Sequence, residues 1–421
     1  MIRKLTNTLM ISLVFWIATA AAAADPALGD WPQWRGPTRD AKVAGGMPWP
    51  SSLENLSERW RVPLGPSYSG PIVSGKRVFV TETENKKTEI VRALDRNTGS
   101  ELWRASWTGA ISVPFFARSN GSWIRSTPAC DGESLFVAGI RDDIVCLDVE
   151  TGAERWRLDF PERMGTSIPK FGCVSSPLVV GEFVFVQAGG GFAKIDKRSG
   201  KLIWKILDDG GGMSSAFSSP VLATIAGSTQ LLVQMREELV GVAPEDGRIL
   251  WRQEVPSFRG MNILTPTVFG DGIFTSTYKN RSFFYRVAKR DGAFSVGEAW
   301  NTRAQGYMSS PVVIDDHAYL HLGNGRLACF RLQDGKETWR SKSFGKYWSM
   351  AARENRILAL DERGELLLIE ANPSEFRLLD RKKVSENETW AHVAVAGNDV
   401  LVRDLGGVAL FDWRATVDNE K

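Results

Sequence analysis

Short apolar runs rich in Val, Ile, Leu and Phe recur along the chain, separated by turns of Gly, Asp or Asn. One copy of the unit reads STPACDGESLFVAGIRDDIVCLDVETGAERWRLD and covers residues 126–159. It has a Ser/Thr-Pro start, an apolar run, a polar turn, a second run, a Gly turn and a segment with Trp. These segments predict a four-stranded antiparallel sheet. A period of about 40–50 residues with four strands each is typical of propeller blades.

Two markers delimit each unit. A proline suits the first residue of a strand because it removes no hydrogen bond from the sheet. A glycine four residues before the tryptophan can take a positive φ in the tight turn into the last strand. Strand starts of this kind contain Pro71, Pro128, Pro177, Pro220, Pro266 and Pro311. The tryptophans at the unit ends are Trp60, Trp103, Trp156, Trp204, Trp251, Trp300 and Trp339.

The number of blades follows from an extra strand at the start of the chain and a missing fourth strand in the last copy of the repeat. Six copies are clear, and a seventh has Phe376 in place of the tryptophan. An eighth copy, residues 391–413, has three strands and no fourth. Residues 57–64 contain Trp60 with no preceding glycine turn, and an unpaired sheet edge is unfavourable. We therefore predict an all-β, eight-bladed β-propeller of four-stranded antiparallel blades over residues 56–417, closed by an N-terminal strand that completes the last blade.

The first 24 residues have the parts of an export signal peptide. Arg3 and Lys4 give the positive start, an apolar run follows, and residues 22–24 form the cleavage site. An uncleaved anchor is disfavoured, because residues 10–24 are shorter than the ~20 apolar residues that a spanning helix needs. The segment has no Cys for lipid attachment. We expect an exported, periplasmic or secreted protein that is not a lipoprotein and has no integral membrane segment after cleavage.

The mature chain would begin with an N-terminal extension, residues 25–55. Without Arg3 and Lys4 it would have 50 basic and 49 acidic residues. This near-neutral balance of charges does not support nucleic-acid binding. We also expect the protein to be a monomer. Cys146 and Cys329 occupy the same position of the repeat, which favours buried thiols over disulfides. Cys173 alone lies in a loop where its reactivity would merit testing.

The segment ALDRNTGSELW, residues 93–103, resembles the tryptophan-docking repeat of quinoprotein-type (PQQ-repeat) propellers. Looser copies are CLDVETGAERW, KIDKRSGKLIW, GVAPEDGRILW and CFRLQDGKETW. The resemblance runs from about residue 57 to the end. It implies that each tryptophan packs against the neighbouring blade while the Asp and Thr hold its turn.

Two branches of that family imply different functions. The quinone-dependent dehydrogenases would imply adjacent cysteines, calcium and an aspartate base. Here the closest cysteines, Cys130 and Cys146, are not adjacent, and no loop offers an assignable set of calcium ligands. We therefore predict no cofactor, no metal and no catalytic residue, with PQQ and calcium only under this alternative.

The size, the eight blades and the lack of cofactor residues resemble the second branch, the BamB-like propellers of outer-membrane assembly. The segment DWPQWRGP, residues 30–37, also resembles the opening of secreted quinoprotein-like repeat proteins. We expect an exported, non-catalytic scaffold that binds a protein or ligand, BamB-like in cell-envelope assembly. A PQQ-dependent oxidoreductase and a glycan-binding propeller remain alternatives.

A protein or peptide partner is expected on the face that carries the loops between blades, because binding residues often lie in loops on a rigid frame. Exposed aromatic and arginine side chains are enriched in binding hot spots. The alternative is that these side chains pack the loops onto the blades. The candidates are Phe116, Arg118, Trp123, Arg125, Lys170, Phe171, Arg259, Asn262, Tyr307, Tyr347, Trp348, Trp390 and His392.

Overall fold

The computed structural model describes residues 29–43 and 48–413. The predicted signal peptide and the last residues of the predicted propeller lie outside the described residues. Within them, 32 strands form eight four-stranded antiparallel sheets arranged as a propeller. The prediction of eight blades is therefore confirmed.

The strands follow chain order except the first, which belongs to the last blade. The first strand is β1 (Leu56–Pro63). Blade 1 contains β2 (Ile72–Ser74), β3 (Arg77–Glu84), β4 (Thr88–Asp95) and β5 (Glu101–Thr108). Blade 2 contains β6 (Ala129–Cys130), β7 (Ser134–Ala138), β8 (Asp143–Asp148) and β9 (Glu154–Asp159). Blade 3 contains β10 (Leu178–Val180), β11 (Phe183–Gln187), β12 (Phe192–Asp196) and β13 (Leu202–Ile206). Blade 4 contains β14 (Val221–Ile225), β15 (Ser228–Gln234), β16 (Glu238–Val242) and β17 (Ile249–Glu254).

The second half repeats this plan. Blade 5 contains β18 (Thr267–Phe269), β19 (Gly272–Ser276), β20 (Ser282–Arg290) and β21 (Ala293–Thr302). Blade 6 contains β22 (Val312–Ile314), β23 (His317–His321), β24 (Arg326–Arg331) and β25 (Glu337–Ser343). Blade 7 contains β26 (Trp348–Arg353), β27 (Arg356–Asp361), β28 (Glu365–Glu370) and β29 (Arg377–Lys383). Blade 8 contains β30 (Ala394–Ala396), β31 (Asp399–Asp404), β32 (Gly407–Trp413) and β1. Short helical turns are α1 (Phe160–Met164) and 3₁₀ segments at Phe115–Asn120, Gly212–Ser214 and Phe258–Gly260.

The ring closes where the sequence predicts. Strand β1 pairs antiparallel with β32, from Leu56 opposite Trp413 to Pro63 opposite Gly407. The pairing covers an edge that β32 would otherwise expose, and it joins the two ends of the ring through a ladder of backbone hydrogen bonds with one irregularity between Glu58 and Trp60. The N-terminal strand is thus the outer strand of blade 8.

Five of the seven unit-end tryptophans dock on the next blade as the resemblance implies. Each indole Nε1 donates a hydrogen bond of 2.7–3.0 Å to a backbone carbonyl there. A buried indole needs such an acceptor for its single N–H. Gly99 has φ 73°, and a Cβ there would lie 2.8 Å from the Trp60 ring, so a larger residue would block the docking. The pairs are Trp60 with Arg96, Trp103 with Val149, Trp156 with Lys197, Trp300 with Leu332 and Trp339 with Asn372.

Blades 3 and 4 depart from this pattern. Trp204 still packs against Gly247 of the next blade, but its Nε1 has no protein partner among the described residues. Trp251 donates to Gln230 Oε1 inside its own blade, at 2.6 Å. For Trp251 the reason lies in blade 5, whose last hairpin extends to Asp291 and Gly292. The glycine turn on which Trp251 would dock, and the carbonyl that would accept its N–H, are therefore missing there. Strand β21 packs against β17 instead.

The four cysteines are free and buried, as the repeat position predicts for Cys146 and Cys329. Cys173 is 3% exposed, and burial raises its thiol pKa well above the ordinary value. A thiol in this setting is a poor nucleophile.

Antiparallel pairing gives the propeller two distinct faces. The loops between blades share one face with the turns between the second and third strands of each blade. We call this the loop face. The remaining turns, between the first and second and between the third and fourth strands, lie on the opposite face, which we call the turn face.

Candidate functional site

A continuous row of aromatic rings curves across the loop face, and we call it the aromatic arc. Neighbouring ring centroids lie 4.2–6.0 Å apart, within the range of favourable aromatic pairs. The rings come from six blades or the loops that lead into them, so the closed ring of blades brings them together. In order they are Trp123, Tyr68, Trp390, Tyr347, Tyr307, Tyr278 and Phe258.

Cations lie over several of these rings. The guanidinium of Arg125 is 5.1 Å from the Tyr68 ring centre, and that of Arg259 is 5.2 Å from the Phe258 ring centre. Lys279 and Lys346 approach Phe258 and Tyr347 at 5.0 Å. Such contacts contribute about 0.5–1 kcal/mol each at exposed sites, and they hold the cations beside the rings. The arc is therefore aromatic on its surface with cations at its margin, where Glu388 also accepts from Trp390 Nε1 at 3.0 Å.

Three phenylalanines extend this surface over blades 2 to 4. Phe171 lies between Phe116 and Phe217, with ring centres 6.1 and 5.8 Å away. Phe116 is 71% exposed, which is unusual for so large an apolar side chain. Arg236 lies 4.6 Å over Phe217 and donates to the Arg259 carbonyl at 2.5 Å, which links this phenylalanine cluster to the aromatic arc.

A depression of about 710 Å³ opens beside that link, between blades 3 and 4. Its lining includes Asp209, Glu237, Glu254, Arg236 and Arg259. Burial raises the pKa of the Asp209 carboxyl and lowers that of the Arg236 guanidinium. Because both signs of charge are present, the depression provides polar contacts at the margin of the apolar surface.

Three of the sequence candidates are buried beneath the surface. Asn262 donates through Nδ2 to the carbonyls of Arg236 and Val255, at 3.0 and 2.8 Å, and so ties two loops together. Trp348 is 4% exposed and stacks on His321 with ring centres 4.6 Å apart. His392 is also buried, and its Nδ1 is 2.7 Å from the Val393 carbonyl. These side chains support the loops from below.

The other candidates lie in or near the exposed surface. Lys170 is exposed, and its backbone N–H bonds to the Gly212 carbonyl at 3.1 Å. The side chain of Arg118 lies outside the described residues. Five further residues of this surface are not among the sequence candidates: Tyr68, Phe217, Arg236, Phe258 and Tyr278. Tyr278 lies in the turn between β19 and β20, which shares the loop face, so a search of those turns would have found it.

Residues 29–43, which we call the channel segment, lie along the innermost strands and contact every blade. Trp31 and Lys42 form β-bridges to Val73 and Ala352 on the first strands of blades 1 and 7. The segment therefore fills the central channel instead of extending away from the propeller. In blade order its neighbours are Val73, Cys130, Pro177, Pro220, Thr265, Pro311, Ala352 and Gly397.

Two fully buried arginines anchor the channel segment. Arg39 donates to the carbonyls of Ser176, Pro177 and Pro220, and Arg35 donates to that of Pro311. Burial lowers the pKa of Arg35 to about 10 and that of Arg39 to about 9. Arg35, Arg39 and Ala41 all have φ near +60°. Non-glycine residues adopt this conformation only where surrounding contacts stabilise it.

The channel walls carry a ring of hydroxyl groups at the strand starts. Thr127 Oγ1 accepts a hydrogen bond from Gly70 N, and Ser176 Oγ accepts one from Thr127 N, both at 3.0 Å. The oxygens of Ser219 and Ser310 accept backbone N–H groups in the same way. These bonds connect successive blades, so the hydroxyls join the inner edges of the ring.

The residues of the channel do not fit a bound quinone. Trp34, Arg35 and Arg39 occupy its interior, and Arg39 is 2% exposed. Within the described part of the chain, no group of three His, Cys, Asp or Glu residues is placed to hold a metal ion. We therefore derive no redox step for this site.

The fold, the docked tryptophans and the closure by β1 define an eight-bladed propeller of the PQQ-repeat type. Residues 86–341 match the family described as outer membrane protein assembly factor BamB. That match spans more than half of the chain, and the protein belongs to this family.

Individual relatives are distant. The BamB protein of Moranella endobia is 22% identical over 311 residues, covering 72% of this chain and 64% of the relative. The BamB protein of Yersinia pestis is 22% identical over 272 residues, covering 64% of this chain and 62% of the relative. The chain thus spans just under two thirds of the length of these relatives.

Two solved structures share the fold. BamB from Moraxella catarrhalis superposes with a TM-score of 0.62 at 15% identity, covering 87% of this chain and 99% of that one. The quinohemoprotein alcohol dehydrogenase from Comamonas testosteroni gives 0.67 at 12% identity, covering 93% and 82%. Likeness at such low identity concerns the fold alone, because unrelated functions use the same propeller.

Proposed function

We propose that this propeller is a non-catalytic docking scaffold in outer-membrane protein assembly, and that its protein partners bind across the aromatic arc. The observation that carries the proposal is the arc itself, a continuous run of rings with cations at its margin. Family membership supports the pathway, since the relatives are named as outer membrane protein assembly factors.

The chemistry of the arc suits a protein partner. Aromatic and arginine side chains dominate binding hot spots, because they bury much surface and also form polar contacts. Most rings of the arc are held by their neighbours and are only partly exposed. Binding would then cost little side-chain entropy, which favours affinity. The phenylalanine cluster and the depression beside it extend the surface over blades 2 to 4.

The filled channel disfavours the oxidoreductase alternative. A quinone would have to displace Trp34 and both buried arginines, each of which makes hydrogen bonds to the blades.

The proposal also includes a location: we infer that the protein acts in the periplasm after cleavage of the predicted signal peptide. No helix among the described residues is long and apolar enough to cross a membrane.

The test uses a strain lacking the gene, complemented with wild type or with the double variant Tyr347→Ala/Trp390→Ala. We expect the double variant to fold normally yet to leave outer-membrane protein levels as low as in the deletion strain. The matched control is Leu102→Ala/Ile203→Ala, which removes two exposed apolar side chains from the outer strands β5 and β13. This control should restore wild-type levels.

Two outcomes would overturn the proposal. One is full complementation by the folded arc variant. The other is stoichiometric quinone binding with calcium-dependent dye reduction by the purified protein. Quenching of tryptophan fluorescence by polysaccharide, lost in Trp123→Ala, would instead favour the glycan-binding alternative.

A further inference from the structure

The interior of the channel has more hydrogen-bond donors than acceptors. Arg35 is 1% exposed, and its Nε and Nη1 atoms are buried without a hydrogen-bond partner among the described residues. Only its Nη2 is used, by the carbonyls of Asp40 and Pro311. Arg125, Arg236 and Arg403 each leave one buried nitrogen without a partner, whereas Arg35 leaves two. Arg is almost never fully buried unless it is paired.

The surrounding hydroxyls add to this excess. The oxygens of Thr127, Ser176, Ser219 and Ser310 each accept a backbone N–H, and Thr265 Oγ1 accepts Trp34 Nε1 at 3.0 Å. Each hydroxyl still has its own proton to donate. In the described part of the chain, none of the five donates to a protein acceptor. Arg35 bonds to the carbonyl next to Ser310, and Arg39 bonds to carbonyls of Ser176 and of the residue after Ser219. Both guanidinium groups therefore lie at strand starts that carry these hydroxyls.

The positive charges also exceed the negative ones. Neither Arg35 nor Arg39 forms an ion pair within residues 29–43 and 48–413. The charge of Asp40 acts on Arg35 from beyond ion-pair distance, and the Asp40 carbonyl accepts from Arg35 Nη2 at 3.4 Å. The facing titratable group is His392, which burial and the charge of Arg35 keep neutral by lowering its pKa to about 3. A buried charge without a counterion is costly, by several kcal/mol after relaxation.

We propose that the channel holds a small inorganic anion, which accepts hydrogen bonds from Arg35 Nε and Nη1 and from hydroxyls of the strand starts. The anion neutralises the guanidinium charge that the blades leave uncompensated. The strand starts present hydroxyl donors beside the guanidinium donors, and the carboxylate that acts on Arg35, that of Asp40, already accepts from Thr38 Oγ1 and Lys42 N. This is the chemistry of a halide-sized anion site. The site is separate from the aromatic arc, so it stands or falls independently of the proposed function.

The first experiment is diffraction from crystals grown in sodium bromide, with data collected at the bromine edge. We expect an anomalous peak within hydrogen-bonding distance of Arg35 Nε. Peaks only at surface side chains, such as Arg259, would mean an adventitious ion only and would overturn the proposal.

The second experiment measures the melting temperature during a bromide titration, with gluconate holding the ionic strength constant. Wild type should gain stability with saturation, because the ion binds the folded state alone. Arg35→Met should lose the saturable part. Arg259→Met, which removes an exposed arginine, is the matched control and should keep it. An identical saturable gain in Arg35→Met, or none in wild type, would contradict the proposal.

Arg35→Lys covers the case in which Arg35→Met does not fold. It keeps the charge but loses the planar set of donors, and we expect bromide to bind at least tenfold more weakly. If neither variant folds, the anomalous peak alone decides.

Discussion

The loop face and the channel of this propeller use the same residue types in opposite ways. On the loop face, arginines and lysines lie over aromatic rings that remain partly exposed, so both groups are accessible to a partner. In the channel, Arg35, Arg39 and Trp34 are fixed to backbone carbonyls and hydroxyls of separate blades. Aromatic and cationic composition therefore does not distinguish a binding surface from a structural plug. Exposure and the number of fixed partners do.

Deleting residues 29–43 should cause the largest loss of stability. The deletion removes contacts to all eight blades and the buried ring of Trp31, and losing one buried Trp costs about 3–5 kcal/mol alone. We expect the free energy of unfolding to fall by at least about 5 kcal/mol. Urea unfolding followed by circular dichroism measures it. An unchanged midpoint would mean that the channel segment occupies the channel without stabilising the ring of blades.

Arg39→Met should cost less, about 3 kcal/mol, because buried carbonyls of Ser176, Pro177 and Pro220 lose their charged donor. The control is Arg259→Met on the loop face, which loses one exposed cation–π contact and should change stability by no more than about 1 kcal/mol. Equal effects of the two substitutions in urea unfolding would remove the distinction between the two regions.

Buried acids offer a further contrast with the buried bases of the channel. Burial, and then the neighbouring Asp143, raise the pKa of Glu89 to about 8. The folded protein therefore holds this proton while the unfolded chain releases it near the ordinary value, so stability falls as pH rises between about 4.5 and 8. Unfolding measured across this range should show a shallower decline in Glu89→Gln. A slope identical to wild type would argue against a neutral Glu89.

The loss of stability on substituting a docking tryptophan should depend on whether its Nε1 makes a hydrogen bond. Trp60→Phe loses the bond to the Arg96 carbonyl across the ring closure, and we expect a cost of about 1–2 kcal/mol. Trp204→Phe should cost less than about 1 kcal/mol, because Trp204 Nε1 has no protein partner to lose. The comparison needs only midpoints from the same denaturant series, and a larger loss at Trp204 would contradict it.

The smallest effect on stability is expected at the aromatic arc. Tyr347→Ala removes a partly exposed ring, so we expect a loss of no more than about 1 kcal/mol. Partner binding should nevertheless weaken at least tenfold, measured with purified assembly components. A large loss of stability would mean that the arc belongs to the core rather than to a binding surface.

The sequence alone determined the architecture. Apolar runs of strand length, prolines at strand starts and glycine turns before tryptophans are local features, and they repeat often enough to count blades. The surplus strand around Trp60 matched the deficit in the last copy, so the closure by β1 could also be predicted. Several arc residues, including Tyr307 and Trp390, could be named because loops between blades share one face.

Only the tertiary structure decided what fills the channel and how the rings meet. The segment around Arg35 and Arg39 has no strand or helix period, and the blade residues that accept hydrogen bonds from these two arginines lie 137 to 276 residues away. Those acceptors are backbone carbonyls, which every residue has, so no side-chain pattern marks them. Tyr68 and Tyr278 become parts of one arc with Trp390 only because the closed ring brings distant blades side by side. Pairing across such distances depends on the shape of the assembled ring and leaves no trace in local periodicity.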